Sequence, residues 1–261
     1  MSVLEALLLG VVQGFTEFLP VSSSGHLAIG QEILRTNPPG LKFEVTVHAA
    51  TVLSTIVVFR KDIFSLITGA FKFRNNDETK YILNILFSMI PVMIVGLFFK
   101  DYVEYIFGSG LMVVGVSLLV TAVLLFLASS VKSGINPITP KRSFIIGLAQ
   151  AVAILPGLSR SGATISTGLL LGIKREEIAK FSFLMVLIPV LGEAFLDLLS
   201  GDFTSGDKTE MISLIDGFLA AFISGLIACT AMINIVKRVK LTGFAYYCAV
   251  VGLICITFLI F

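Results

Sequence analysis

Two short polar segments, TEFLPVSSSGHL (residues 16–27) and LPGLSRSGAT (residues 155–164), interrupt a chain that is 56% hydrophobic. The first contains a carboxylate, a hydroxyl and an imidazole at Glu17, Ser23 and His26, and the second contains the guanidinium of Arg160. A hydroxyl becomes nucleophilic when a base takes its proton, and a guanidinium matches the geometry of phosphate oxygens. These residue types therefore predict an anion site suited to phosphate, in which Ser23 and His26 could act as nucleophile and base.

Further polar residues accompany this set and are predicted to bind the substrate: Gln13, Ser22, Ser24, Ser159, Ser161 and Thr164. Gln13 lies four residues before Glu17, on the same helix face. It could equally make hydrogen bonds to backbone groups that the helix break leaves unpaired. Thr164 could contact phosphate or make a local backbone hydrogen bond. The serines could simply cap helices, and Arg160 with Glu17 could form a structural ion pair.

The two polar segments belong to an internal repeat. GVVQGFTEFLPVSSSG (10–25) aligns without gaps with GLAQAVAILPGLSRSG (147–162), with five identities that include Gln13/Gln150, Ser22/Ser159 and Ser24/Ser161. Each copy is followed by three apolar spans, so the copies have opposite orientations in a membrane. Inverted repeats of this kind place a site at the midplane, where broken helices meet.

The elements that carry these motifs are predicted to be helices in a membrane. Six apolar runs approach the roughly 20 residues that a helix needs to cross a bilayer. They are residues 43–59, 81–99, 110–131, 181–200, 212–236 and 243–261. Residues 1–34 and 143–173 are instead broken by proline, which predicts two half-length helices around each break.

The charge distribution predicts how these segments are arranged. Lys and Arg are concentrated in residues 60–80, 132–142, 174–180 and 237–241 and are sparse in 100–109 and 201–211. All the rich segments lie on the cytoplasmic side only if the second broken segment dips in and returns. The first, whose residues 1–34 contain no Lys or Arg, is expected to do the same by analogy with its repeat. The fold class is therefore an all-α polytopic membrane protein of one domain, 1–261, with six transmembrane helices and two re-entrant hairpins. The inverted-topology repeats comprise residues 1–131 and 141–261.

Several functional classes are excluded by composition. The net charge of +2 and the absence of a basic stripe argue against nucleic-acid binding. Cys229, Cys248 and Cys255 lie in apolar runs without metal-ligand spacing, and no carboxylate cluster could hold a metal tightly.

Glu44 and His48 share a helix face, where an interfacial position explains them as well as function does. A lipid transporter that uses the same pocket is the strongest alternative to an enzyme. Whether two copies of the chain form a homodimer is left open.

The motifs QGFTEFLPVSSSGHL and PGLSRSGAT resemble the two signatures of the bacterial undecaprenyl-diphosphatases, the bacitracin-resistance family. The resemblance covers essentially the whole chain. It carries the family's functional residues over to Glu17, Ser23 and His26 in the first motif, and to Ser159, Arg160 and Thr164 in the second. Gln13 stands where the family often has Glu, which makes it an unlikely essential base. The type 2 phosphatidic acid phosphatases are less similar, since both histidines precede the Ser-Arg motif.

The resemblance implies a mechanism, a function and a location. Ser23 would attack the terminal phosphorus with Glu17 or His26 as base, and attack by His26 itself or by water is left open. The family removes the terminal phosphate of undecaprenyl diphosphate, which recycles the carrier lipid for cell-wall synthesis and confers bacitracin resistance. It works in the bacterial cytoplasmic membrane, surrounded by membrane lipid, with the active site accessible from the outer face. Its members are stimulated by Mg²⁺ or Ca²⁺, so a divalent cation bridging the substrate and Glu17 is an expectation of the resemblance.

Overall fold

The computed structural model describes residues 1–36, 41–72, 74, 76–99, 102, 106, 110–132, 134–200, 208–238 and 241–260, without the side chains of 41, 193–200, 208–210, 237, 238, 259 and 260. Within these residues the regular structure is helical, apart from one isolated bridge between Asn136 and Ile173. The helices are α1 (Val3–Phe18), α2 (Ser23–Leu34), α3 (Leu41–Val58), α4 (Arg60–Ala70), α5 (Asp77–Phe98), α6 (Leu111–Ser129), α7 (Pro140–Val152), α8 (Arg160–Leu170), α9 (Arg175–Ser200), α10 (Lys208–Arg238) and α11 (Thr242–Ile260).

Both broken segments form pairs of short helices, as the sequence predicts. Helix α1 ends at Phe18 because Leu19, the residue before Pro20, has extended backbone. Helix α2 then begins after Ser22, whose side chain caps it. In the second segment the break covers residues 153–159, and Ser159 caps α8 in the same way. Two serines that align in the repeat therefore cap two equivalent helices.

The six apolar runs all fold as helices, namely α3, α5, α6, α9, α10 and α11. Among the described residues, three stretches are long and apolar enough to cross a membrane: Asp77–Phe98, Leu111–Ser129 and Met211–Val236. The described part of α11 contributes a shorter apolar helix, Thr242–Phe258. The molecule is thus a helical membrane protein, and the crossing by α3, α9 and α11 stays a prediction. The sequence analysis missed one element, α4, in what was taken for a basic connection.

The core of the molecule lies between helices of the two halves. Its largest apolar cluster includes the fully buried Leu118 of α6, Ile165 of α8 and Phe181 of α9. A second cluster joins α1, α2, α3 and α10 around Leu9 and Phe43. Helix α1 packs along α10, α7 along α5, and α6 along α11. Each broken segment is therefore held by a long helix from the other half of the chain.

Helix α1 approaches α10 closely because small residues face each other. Gly10 and Gly14 form a small-xxx-small pattern, and a Cβ atom at Gly14 would lie 2.6 Å from the carbonyl oxygen of Ala221. In α10, Gly217 and Gly225 flank Ala221 at the same four-residue spacing. Such an interface lets the two backbones touch. It fixes the position of α1, and hence of Gln13 and Glu17 on its inner face.

Candidate active site

The two helix breaks touch each other in the middle of the molecule. A Cβ atom at Gly25 would lie 3.0 Å from Cα of Gly157, so the two tips are in backbone contact. The hydroxyl of Ser161 donates a hydrogen bond of 3.3 Å to the carbonyl oxygen of Leu19, from one break to the other. Helices α2 and α8 both begin at this junction. Their N-terminal N–H groups and dipoles therefore lie close together, which favours a bound anion.

Glu17 is the centre of the polar residues at the junction. Its Oε1 accepts a hydrogen bond of 2.9 Å from Nη2 of Arg160. Its Oε2 accepts one of 2.9 Å from Nε2 of Gln13 and another from the hydroxyl of Ser23. The Glu17 side chain is only 11% exposed and that of Arg160 25%. The convergence of acid, hydroxyl and guanidinium that the repeat predicts is present in the structure.

Arg160 and Glu17 form an ion pair across 143 residues of chain. A charged side chain at this depth is costly unless it is paired, and here each ion neutralises the other. The pairing also leaves Arg160 at the wall of a cavity. An incoming phosphate could therefore exchange for Glu17 on the guanidinium, because both anions present oxygens to the same fork of N–H donors.

A third element, α3, completes the surroundings of Glu17. Nδ1 of His48 lies 2.8 Å from the carbonyl oxygen of Glu44, so Nδ1 carries the hydrogen. Nε2 of His48 lies 3.6 Å from Oε2 of Glu17. The sequence left function and an interfacial position equally open for His48. The structure places it beside the central carboxylate, a contact that only tertiary packing could reveal.

His26 contacts different partners from Ser23. Its Nδ1 lies 2.8 Å from the carbonyl oxygen of Ser22 and therefore donates, which leaves Nε2 to accept from the hydroxyl of Tyr247, also at 2.8 Å. The two rings stack with centroids 5.5 Å apart. Both nitrogens of His26 are thus engaged outside the Glu17 cluster. Of the two candidate bases, Glu17 is the one in contact with Ser23, and Tyr247 is a partner of His26 that sequence reasoning missed.

The remaining predicted residues serve mainly to hold the junction. Ser22 and Ser159 accept hydrogen bonds from the N–H groups of Gly25 and Gly162, at 3.3 and 3.0 Å. Ser24 lies within 3.4 Å of the Ser22 hydroxyl. Thr164 is fully buried, donates to the carbonyl oxygen of Arg160 at 2.8 Å, and lies 2.6 Å from the hydroxyl of Ser182. The serines therefore act as helix caps and Thr164 makes a local backbone hydrogen bond, which are the structural roles that the sequence had left open for them.

A small open pocket of about 20 Å³ adjoins the junction. Its polar wall consists of Glu17, Thr51, Thr55, Arg160, Ser161 and Ser182. Its apolar wall consists of Phe18, Val52, Phe183, Val186 and Leu187. The Ser23 hydroxyl joins this set through its hydrogen bond to Glu17. The polar and apolar walls match the two chemical parts of an amphiphile, an anionic head and a hydrocarbon tail.

The junction offers few protein side chains that could bind a metal ion. Among the described residues there is no group of three or more His, Cys, Asp and Glu side chains that could hold one. Glu17 is the carboxylate at the junction, and both its oxygens already accept hydrogen bonds. These residues fit a cation bound chiefly through substrate phosphates with Glu17 as the protein ligand, which is how Mg²⁺ is commonly bound. They do not fit a site built from protein ligands alone.

The fold and the site together define a helical membrane protein with a paired acid and arginine at a junction of two broken helices. A family profile described as bacitracin resistance protein BacA matches residues 6–254. The chain therefore belongs to the bacitracin resistance protein BacA family.

Similar proteins cover nearly the whole chain. One named undecaprenyl-diphosphatase, from Bacteroides thetaiotaomicron, is 57% identical over 97% of this chain and 97% of its own. One of the same name from Christiangramia forsetii is 50% identical over 99% of this chain and 98% of its own. A third from Korarchaeum cryptofilum is 42% identical, over 97% and 98%. The family resemblance stated from the two motifs is confirmed.

Proposed function

We propose that this protein hydrolyses the terminal phosphate of undecaprenyl diphosphate, giving undecaprenyl phosphate and inorganic phosphate. The observation that carries the proposal is the cluster of Ser23, Glu17 and Arg160 at the meeting point of two helix N-termini. The names of the relatives support the same activity. The product would return the carrier lipid to cell-wall synthesis, and this recycling would confer bacitracin resistance.

Substrate binding begins with the diphosphate. Arg160 turns from Glu17 to the phosphate oxygens, and the N-termini of α2 and α8 add N–H donors. The hydrocarbon tail lies against the apolar wall that Phe18 and Phe183 form, and membrane lipid surrounds the protein. Ser159 and Ser161 support this geometry by capping α8 and joining the two breaks. Electrostatic stabilisation of the phosphoryl oxygens is the largest expected contribution to catalysis.

The chemical step uses the contact between Ser23 and Glu17. The Ser23 oxygen attacks the terminal phosphorus while its proton passes to Glu17, and the bond from phosphorus to the bridging oxygen breaks to release undecaprenyl phosphate. Glu17 passes that proton to the departing phosphate oxygen and, as a carboxylate again, takes a proton from the water that attacks the phosphoserine, which releases inorganic phosphate and restores the Ser23 hydroxyl. Gln13 orients the carboxylate through its hydrogen bond to Oε2. His26 would have to leave its hydrogen bond with Tyr247 to protonate the leaving group.

Mg²⁺ or Ca²⁺ would bind between Glu17 and the phosphates of the substrate. When bound, the cation would neutralise charge on the diphosphate. The protein's own residues still perform each proton transfer and the attack on phosphorus.

We also propose the finer topology: six transmembrane helices and two re-entrant hairpins in inverted repeats, 1–131 and 141–261. The packing supports it, since α1 of the first half pairs with α10 of the second, and α7 of the second pairs with α5 of the first. This exchange is what a pseudo-two-fold axis in the membrane plane produces. The protein would lie in the bacterial cytoplasmic membrane with its site open to the outer face. It could act as a homodimer.

The test is phosphate release from undecaprenyl diphosphate by purified protein in detergent, with and without a chelator. Arg160→Ala and Ser23→Ala should each abolish release, while Ser24→Ala, which removes a hydroxyl one residue from the nucleophile, should retain it. Trapping with substrate labelled at its terminal phosphate should place the label on Ser23. Label on another residue would replace the serine mechanism. No release by folded protein with divalent cation restored would overturn the enzyme and favour lipid transport through the same pocket.

A further inference from the structure

Helix α4 (Arg60–Ala70) has three distinct faces and is unlike the long apolar helices. Ile63 and Leu66 face inward and pack against the core. Phe64, Ile67 and Phe71 follow one another at helical spacing and are 70%, 49% and 72% exposed. A polar row beside them consists of Lys61, Ser65, Thr68 and Lys72, all exposed. One face therefore holds the helix to the protein, and two faces of opposite character point outward.

Helix α4 is held between α3 and α5 in the chain and against α9 in space. It begins two residues after α3 ends at Val58, and six residues separate its end at Ala70 from α5, which is long and apolar enough to span. Asp62 pairs with Lys180 of α9, and the side-chain amide of Asn76 donates to the carbonyl oxygen of Gly69 at 2.9 Å. These contacts fix α4 close to the beginning of a spanning helix.

The neighbouring helices also carry exposed apolar side chains: Leu53 of α3 and Leu83 of α5 are 40% and 47% exposed. An exposed aromatic and aliphatic row that close in the chain to a spanning helix would be in water unless it entered the bilayer interface. Helices with an apolar face beside a basic face lie in the plane of that interface, with the apolar face at the boundary of headgroups and acyl chains.

Basic residues determine which lipid suits this helix. Lys61 and Lys72 lie along the polar row, and Arg60 and Arg74 lie at either end; all four are exposed. Basic side chains beside an interfacial helix attract anionic lipid headgroups, and each strengthens binding by about fivefold. We propose that α4 is an interfacial helix that binds anionic phospholipid, with Phe64, Ile67 and Phe71 in the acyl region and Lys61 and Lys72 on the phosphates.

The absence of tryptophan from the whole sequence permits a clean test. Phe64→Trp introduces a single fluorophore on the apolar row, and Ser65→Trp introduces one on the adjacent polar row of the same helix. Each protein is reconstituted in liposomes of phosphatidylcholine or phosphatidylglycerol with brominated acyl chains. Size-exclusion profiles before reconstitution show whether each variant is folded. Quenching by bromine reports contact with acyl chains, and acrylamide reports contact with water.

The expected result is strong bromine quenching of Phe64→Trp and preferential acrylamide quenching of Ser65→Trp. In liposomes that mix both lipids, quenching of Phe64→Trp should favour brominated phosphatidylglycerol over brominated phosphatidylcholine about 25-fold, since each of the two lysines contributes about fivefold. The further change Lys61→Gln with Lys72→Gln should reduce that preference towards one. Equal acrylamide quenching of the two variants would overturn the interfacial placement. A Phe64→Trp protein whose fluorophore is shielded from both quenchers would overturn it too and indicate a protein partner, and quenching without preference would overturn the anionic specificity.

Discussion

The close packing of α1 on α10 makes the active site sensitive to a single methyl group at a distance from it. Gly14 lies three residues before Glu17 on α1. A Cβ atom there would lie 2.6 Å from the carbonyl oxygen of Ala221 and 2.7 Å from the amide nitrogen of Gly225. Both atoms belong to the backbone of α10, so no side-chain rotation relieves the overlap. Gly14→Ala therefore forces the helices apart.

The size of the displacement follows from these distances. Ordinary van der Waals contact for a Cβ atom begins at 3.4 Å, so α1 must move by about 0.8 Å relative to α10. Catalytic groups need to be held within about 0.5 Å of their working geometry. The pair between Glu17 and Arg160 is 2.9 Å long and would be strained or broken by such a shift. A misplacement near 1 Å can lower the rate about 100-fold, which is the loss expected here.

The assay is inorganic phosphate release from undecaprenyl diphosphate by each purified protein in the same detergent. Val11→Ala is the matched control, because Val11 lies on the lipid-facing side of α1 and is 40% exposed; its activity should stay within about twofold of wild type. Adding Ser224→Gly to Gly14→Ala removes the nearby hydroxyl but leaves the backbone overlap, so activity should stay low. A folded Gly14→Ala protein with activity within about threefold of wild type would refute the reasoning.

Three further predictions concern the junction itself. Ser23→Ala should lower phosphate release about 100-fold or more while Ser24→Ala stays within about threefold, because Ser23 donates to Glu17; equal losses would contradict the assignment. His48→Ala should lower kcat about fivefold, because the Glu17 carboxylate loses a neighbour 3.6 Å away. His48→Gln should recover most of the lost kcat. An unchanged kcat in His48→Ala would show that His48 is not part of the site. Ser22→Ala should reduce the free energy of unfolding by about 1 kcal/mol through loss of the α2 cap, measured by thermal unfolding in detergent. Ser22→Gly should cost less, because glycine tolerates the φ of +71° found there, and a larger loss than with Ala would refute this.

Much of the site was predictable because its residues stand out against an apolar background. A guanidinium within membrane helices needs a partner, so Glu17 was a candidate partner for Arg160, and the two side chains do pair. The repeat indicated that the breaks meet, and the contact between Gly25 and Gly157 confirms it. The sequence could not decide which base contacts Ser23. Sequence spacing allows both Glu17 and His26 near Ser23, and only the side-chain directions distinguish them.

The sequence by itself determined the helical class, the two proline breaks and the chemical groups at the junction, since these depend on local backbone restriction and on the high cost of polar groups in lipid. It did not determine α4, whose mixed polarity lacks the long apolar run that marks a spanning helix. Tertiary structure alone placed His48 beside Glu17 and Tyr247 beside His26, across 31 and 221 residues of chain. Such contacts depend on how close two helices can approach, and small residues such as Gly14 and Ala221 set that distance only once the helices are paired.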